Sequence, residues 1–98
     1  MADVKEEYCV YILSCADDSF YTGMTCDLKR RLREHRAGRG AQWTSRRLPV
    51  ELVFSRGNLA YRSARKVEQY IKSLSRARKK ALIAHEPGTM TLVGKRIQ

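Results

Sequence analysis

The sequence predicts a mixed α+β fold, a small three-stranded and mainly antiparallel sheet flanked by helices in the order β-β-α-β-α-α. Two apolar segments stand either side of a short turn near the N-terminus, a basic amphipathic stretch follows, and a third apolar segment precedes two more helical stretches. Short strands and helices mixed along one chain suggest a layered sheet-and-helix arrangement. At 98 residues, 43% of them hydrophobic, the chain holds enough apolar material for one core and reads as a single domain over 1–98.

Residues 7–15 (EYCVYILSC) are rich in β-branched and aromatic side chains and read as a strand buried on both faces. Ala16, Asp17, Asp18 and Ser19 supply turn chemistry, and 20–24 (FYTGM) return as the second arm of a hairpin. Gly23 inside that arm suggests a bulge or the close approach of another backbone. Residues 27–37 read as a helix with Asp27 as cap, Leu28 and Leu32 on its apolar stripe, and Gly38 as its stop. Residues 38–49 form a glycine-containing basic loop, and 50–55 (VELVFS) a third strand. Ala64, Val67, Ile71 and Leu74 mark a helix over 60–74. Ser75 caps a last helix over 76–85, with Ala77, Ala81 and Leu82 facing inward and Pro87 and Gly88 ending it. The compact part spans about 7–85, and 86–98 has no persuasive periodicity.

Charge is the strongest compositional signal. Net charge is +10, and it is segregated: residues 1–27 carry one lysine against six acidic residues, whereas 28–98 carry nineteen cations against Glu34, Glu51, Glu68 and Glu86. Solubility alone favours mixed signs and a net charge of roughly 2–8. An excess of this size points to a polyanionic partner, with nucleic acid ahead of an anionic membrane surface or a ribosomal site. Lys29, Arg30, Arg33, Arg39, Arg46 and Arg47 are the candidate phosphate contacts. Trp43, the only tryptophan, either covers the core edge or stacks on a base. No apolar run reaches the roughly 20 residues of a membrane-spanning helix, and the acidic N-terminus lacks the order of a signal peptide. A cytoplasmic protein, nucleoid-associated if bacterial, is expected. Cys9, Cys15 and Cys26 form no CxxC pair and read as small, mostly buried thiols rather than a zinc site.

Several of these segments, taken in order, resemble a known family. Cys9-Val10-Tyr11 and Tyr21-Thr22-Gly23 are similar to the two motifs of the GIY-YIG endonuclease superfamily. Asp27-Leu28, Arg30-Arg31-Leu32 and His35 resemble its next helix. Gly38-Arg39-Gly40-Ala41 with Thr44 resembles the loop of its small, stand-alone, single-domain branch, and Glu68 matches the position of its acidic metal ligand. The likeness covers roughly residues 8–84. It departs from the pattern at CVY, which lacks the leading glycine, and at Met24, where relatives in DNA repair carry a lysine.

The resemblance implies hydrolysis of phosphodiester bonds with one divalent ion, magnesium or manganese. The substrate would be nucleic acid, DNA ahead of RNA, in repair or recombination, and no protein partner is indicated. It implies that Tyr11 and Tyr21 stand at the reaction centre, with Tyr21 the better candidate to deprotonate the attacking water. Arg31 would bind the scissile phosphate, His35 would support the water or the phosphate, and Glu68 would hold the metal. Each residue also has a plainer reading. Tyr11 and Tyr21 suit a core, His35 suits a helix C-terminus, and Glu68 with Lys72 forms the favoured helical ion pair. A catalytically weak nucleic-acid-binding module on the same fold is the alternative.

Overall fold

The computed structural model describes residues 7–85, and the 86–98 tail, including Pro87 and Gly88, lies outside the described residues. Seven elements follow in chain order: β1 (Tyr8–Ser14), β2 (Phe20–Thr25), α1 (Leu28–Arg36), α2 (Gln42–Ser45), β3 (Glu51–Leu59), α3 (Tyr61–Ser73) and α4 (Arg76–Ala84). The sheet is three-stranded and antiparallel in the order β2-β1-β3, as the sequence predicts.

β1 is central, which explains why its sequence is apolar without alternation. Val10, Ile12, Phe54, Ala64 and Ile71 form a core on one face of the sheet, beneath α3 and α4. Tyr11, Leu13, Cys15 and Val50 form a second core on the other face, covered by Leu28 and Leu32 of α1. Successive β1 side chains enter opposite cores because strand side chains alternate.

The hairpin turn is built as its residues suggest. Asp17 accepts hydrogen bonds from the backbone N–H and hydroxyl of Ser19, while Asp18 adopts φ 66°. α1 starts where Asp27 accepts from the Arg30 N–H at 3.1 Å, and α4 where the Ser75 hydroxyl accepts from the Arg78 N–H at 3.2 Å.

The structure corrects four local expectations. The 38–49 segment contains α2, a single helical turn too short to show periodicity. β3 continues to Leu59 through exposed Arg56, Gly57 and Asn58, because register shifts keep it paired with β1 as far as Tyr8. In α4, Leu82 and Ile83 pack on the core, whereas Ala77 and Ala81 are exposed. Two turns of helix offer too few apolar positions for the larger side chains to be placed by spacing. Finally, Cys9 is half-buried and Cys15 buried, but Cys26 is exposed beside the α1 cap.

These assignments give unequal costs for truncation. Ile71→Ala should lower unfolding free energy by about 2–5 kcal/mol, the range for opening a cavity in a packed core. Ala81→Ser should stay within about 0.5 kcal/mol, as expected for an exposed site. Urea denaturation measures both, and equal costs would place Ala81 in the core.

Candidate active site

The site begins with a packing problem on the central strand. Tyr11 is only 1% exposed, and its ring points into the second core opposite Gly23 of β2. A methyl group at Gly23 would stand 2.6 Å from the Tyr11 hydroxyl oxygen. The glycine in the β2 motif therefore makes room for a side chain, not for a bulge or a neighbouring backbone, and the β1–β2 register runs through it unbroken.

The buried Tyr11 hydroxyl lies 2.9 Å from Nε2 of His35, which is itself fully buried. His35 Nδ1 in turn lies 2.8 Å from Oγ1 of Thr44, also fully buried. The Thr44 hydroxyl donates to the Ala41 carbonyl at 3.0 Å, so its lone pairs face the imidazole. That arrangement puts the hydrogen on Nδ1 and leaves Nε2 to accept from Tyr11. Burial holds the His35 pKa below its ordinary value, and the Arg31 charge lowers it further. Gly40 lies against the imidazole so closely that a Cβ there would overlap the ring.

Tyr21 joins this cluster from β2, half-buried, with its ring centroid 5.3 Å from that of His35 and 6.5 Å from that of Tyr11. Burial pushes the Tyr11 pKa up to about 12, although the Arg31 guanidinium beside it acts in the opposite direction. Tyr11 therefore keeps its proton at neutral pH and gives it to His35 as a hydrogen bond.

Arg31 is partly exposed and lies 2.8 Å from Glu34, which Arg30 also reaches at 3.3 Å. Glu34 stands three residues after Arg31 and four after Arg30, spacings that put all three side chains on one face of α1. The carboxylate and the neighbouring phenol hold the Arg31 charge in place, and the arginines hold the Glu34 carboxyl below the usual carboxylate range. The pair is solvent-accessible, and such pairs are weak.

Structure thus brings Tyr11, Tyr21, Arg31 and His35 together on the α1 face of the sheet. Glu68 sits on α3, in the layer across the sheet, with its side chain 15% exposed and 3.3 Å from Lys72. The helical ion pair is formed. Lys72 in turn borders a groove on the outer side of β2 that Tyr21 also lines, so the two layers meet at that edge. Among the described residues no three histidine, cysteine or acidic side chains gather as a ligand set. A lone carboxylate completed by waters and substrate oxygens fits magnesium, which seldom takes an all-protein cage.

Of the candidate phosphate contacts, Lys29, Arg30, Arg33, Arg39 and Arg46 are exposed. Arg47 is already engaged. Its Nε lies 3.0 Å from Asp17, it donates to the Trp43 carbonyl, and its guanidinium stacks 3.4 Å from the centroid of the Trp43 ring. Trp43, 45% exposed on α2, is therefore fixed from one side.

The GIY-YIG catalytic domain family matches residues 7–81, and the chain belongs to that family. Its fold is accordingly of nuclease type. The relatives are small proteins of similar length. A UPF0213 protein of Natronomonas pharaonis is 49% identical over 82 residues, covering 84% of this chain and 96% of its own length. UPF0213 protein YazA of Bacillus subtilis is 41% identical over 73 residues, covering 74% of each chain. The solution NMR structure of a UPF0213 protein from Bacillus halodurans is similar at TM-score 0.56 and 39% identity, with 82% of this chain and 85% of that one covered.

The buried imidazole has a pH signature. Because folding depresses the His35 pKa below its unfolded value near 6.5, its contribution to stability is complete above that value. The contribution is lost as pH falls towards the folded pKa, because the unfolded chain then binds the extra proton. Melting temperature should fall between pH 7.5 and 5.5, and His35→Gln should flatten that fall. Gly40→Ala should cost about 1–3 kcal/mol at neutral pH through overpacking of the ring. An unchanged melting curve for Gly40→Ala would refute the close approach.

Proposed function

We propose that this protein is a metal-dependent endonuclease that hydrolyses phosphodiester bonds of nucleic acid, DNA ahead of RNA. The observation that carries the reading is the convergence of two tyrosines, an arginine and a histidine from three separate elements, in a family whose fold is of nuclease type.

In this reading Arg31 exchanges Glu34 for the scissile phosphate. A guanidinium forks onto phosphoryl oxygens and keeps its charge throughout. Tyr21 is the group placed to take the proton from the attacking water, since it lies closer to solvent than Tyr11. Tyr11 acts as a fixed phenol. Its hydroxyl proton is held by His35, and the oxygen is turned towards Arg31. His35 and Thr44 are positioning residues, sealed from substrate. As water adds to phosphorus its proton passes to the Tyr21 oxygen, the bond to the leaving oxygen breaks, and that oxygen takes up a proton from solvent. Glu68 would hold the divalent ion, which would supply charge neutralisation and acidify bound water.

Exposed cations from Lys29 to Arg46 give the broad phosphate-binding surface, so affinity should depend on salt. Log affinity should fall by roughly 0.9 per neutralised phosphate for each unit of log salt on duplex DNA, and a flat response would remove the electrostatic basis of binding.

The decisive experiment compares cleavage and binding on one substrate for wild type, Glu68→Gln and Arg31→Ala, with magnesium or manganese. Cleavage should drop by roughly 100-fold or more in each variant, by loss of charge stabilisation. Binding without metal should hold for Glu68→Gln and weaken only by one contact's share for Arg31→Ala. If Glu68 serves only Lys72, its loss costs about 0.3–0.5 kcal/mol of stability and leaves cleavage intact. A wild-type protein that binds and never cuts would make this chain a binding module.

A further inference from the structure

We propose that the groove along the outer side of β2 is a nucleobase-stacking subsite, which takes a base adjoining the phosphate held beside Tyr21 and Arg31. The proposal rests on the nuclease reading above and adds a contact to the base rather than to the backbone.

The groove is lined by Phe20, Tyr21, Thr22, Trp43, Lys72 and Lys79. β2 is an edge strand of the sheet, and side chains from both layers meet over it, Trp43 from α2 and the two lysines from α3 and α4. Tyr21 belongs both to this groove and to the tyrosine–histidine cluster, so a nucleotide there adjoins the candidate reaction centre.

Trp43 is prepared for stacking. Arg47 covers one face of the indole at 3.4 Å from the ring centroid, and that guanidinium is tied to Asp17 and to the Trp43 carbonyl. Arg47 does not line the groove, so the indole presents its uncovered part there. A ring already immobilised loses little conformational freedom when a base settles on it. The lysines provide cations for the phosphates on either side of that base, the combination by which nucleotides are held on stacking platforms.

An independent observation lies in the same wall. Thr22 is 5% exposed, and its hydroxyl is the buried side-chain polar atom that finds no partner among the described residues. An unsatisfied buried hydroxyl is uncommon and calls for an explanation. Thr22 lines the groove, and its hydroxyl lies just beneath the wall on which a base would settle.

Trp43 is the only tryptophan, so its fluorescence reports on this groove and on the neighbouring hollow it lines with Gln42, Arg46 and Arg47, and the comparison of the two strands separates a base from a phosphate. The wild-type protein is titrated with a ten-nucleotide oligothymidylate and with an abasic deoxyribose-phosphate strand of equal length and charge. Oligothymidylate should quench the fluorescence and bind roughly tenfold or more tightly than the abasic strand, which lacks the stacking contribution. Trp43→Ala should bring the affinity ratio close to one, Trp43→Phe should retain most of it, and Lys79→Gln should weaken both strands alike. Circular dichroism checks that each variant is folded. Equal affinities of wild type for the two strands, or binding without quenching, would overturn the subsite and leave the phosphate-binding reading standing. Failure to bind either strand or duplex DNA would remove both.

Discussion

Burying the hydroxyl of Tyr11 on the central strand costs free energy unless its proton meets an acceptor, and much of the α1 face is arranged around that requirement. The acceptor is His35, which must then be buried too and must stay neutral. A neutral buried imidazole needs its second nitrogen satisfied, and Thr44 does this from α2. Two glycines complete the arrangement, Gly23 beneath the phenol and Gly40 against the imidazole, because any Cβ at either place meets a ring. One hydrogen-bonded chain thus links β1, α1 and α2. The same chain orients the phenol beside Arg31 and the ring of Tyr21, so the demands of the core and of the site coincide.

The basic composition resolves into cations with different tasks. Arg47 joins the hairpin turn to α2 through Asp17, and its nearby stacking on Trp43 makes it part of the scaffold. Arg31 and Arg30 share Glu34, so the cation beside Tyr11 is held by a solvent-accessible carboxylate. A solvent-accessible pair of this kind orients the guanidinium while contributing little stability. Lys29, Arg33, Arg39 and Arg46 remain exposed on the same half of the chain.

Much of this was legible in the sequence where pattern and physics agree. The unbroken apolar run of β1 announces a strand with a core on each face, and Asp27 and Ser75 announce the starts of their helices. His35 shows where reading by residue type falls short. It follows Leu28 and Leu32 at the spacing of one apolar stripe, which places it in the core, yet a histidine after several arginines reads as a surface cap. Its partner Thr44 was beyond local reading, because α2 is one turn long and the contact spans nine residues. The pairing of Glu34 with Arg31 was visible in spacing, but the surplus of positive charge obscured it. Gly23 stands out in the sequence as a glycine inside a strand, but what it accommodates is the Tyr11 side chain rather than a bulge or another backbone, and only the fold brings that side chain to it.

The position of Glu68 follows from the topology. A three-stranded sheet with a fully buried central strand divides the protein into two layers, and α3 can pack only on the face that α1 leaves open. In the proposed reading, a carboxylate on α3 would share a substrate with Tyr21 and Arg31 by reaching around an edge of the sheet. β3 forms one edge and β2 the other, and the motif tyrosine Tyr21 lies on β2. An edge strand carries unpaired backbone groups that invite association with other chains unless they are covered or charged. Here Trp43, Lys72 and Lys79 gather over that edge. The charges over β2 thus discourage pairing with another strand, and in the proposed reading this edge is where the two layers would meet one polyanion.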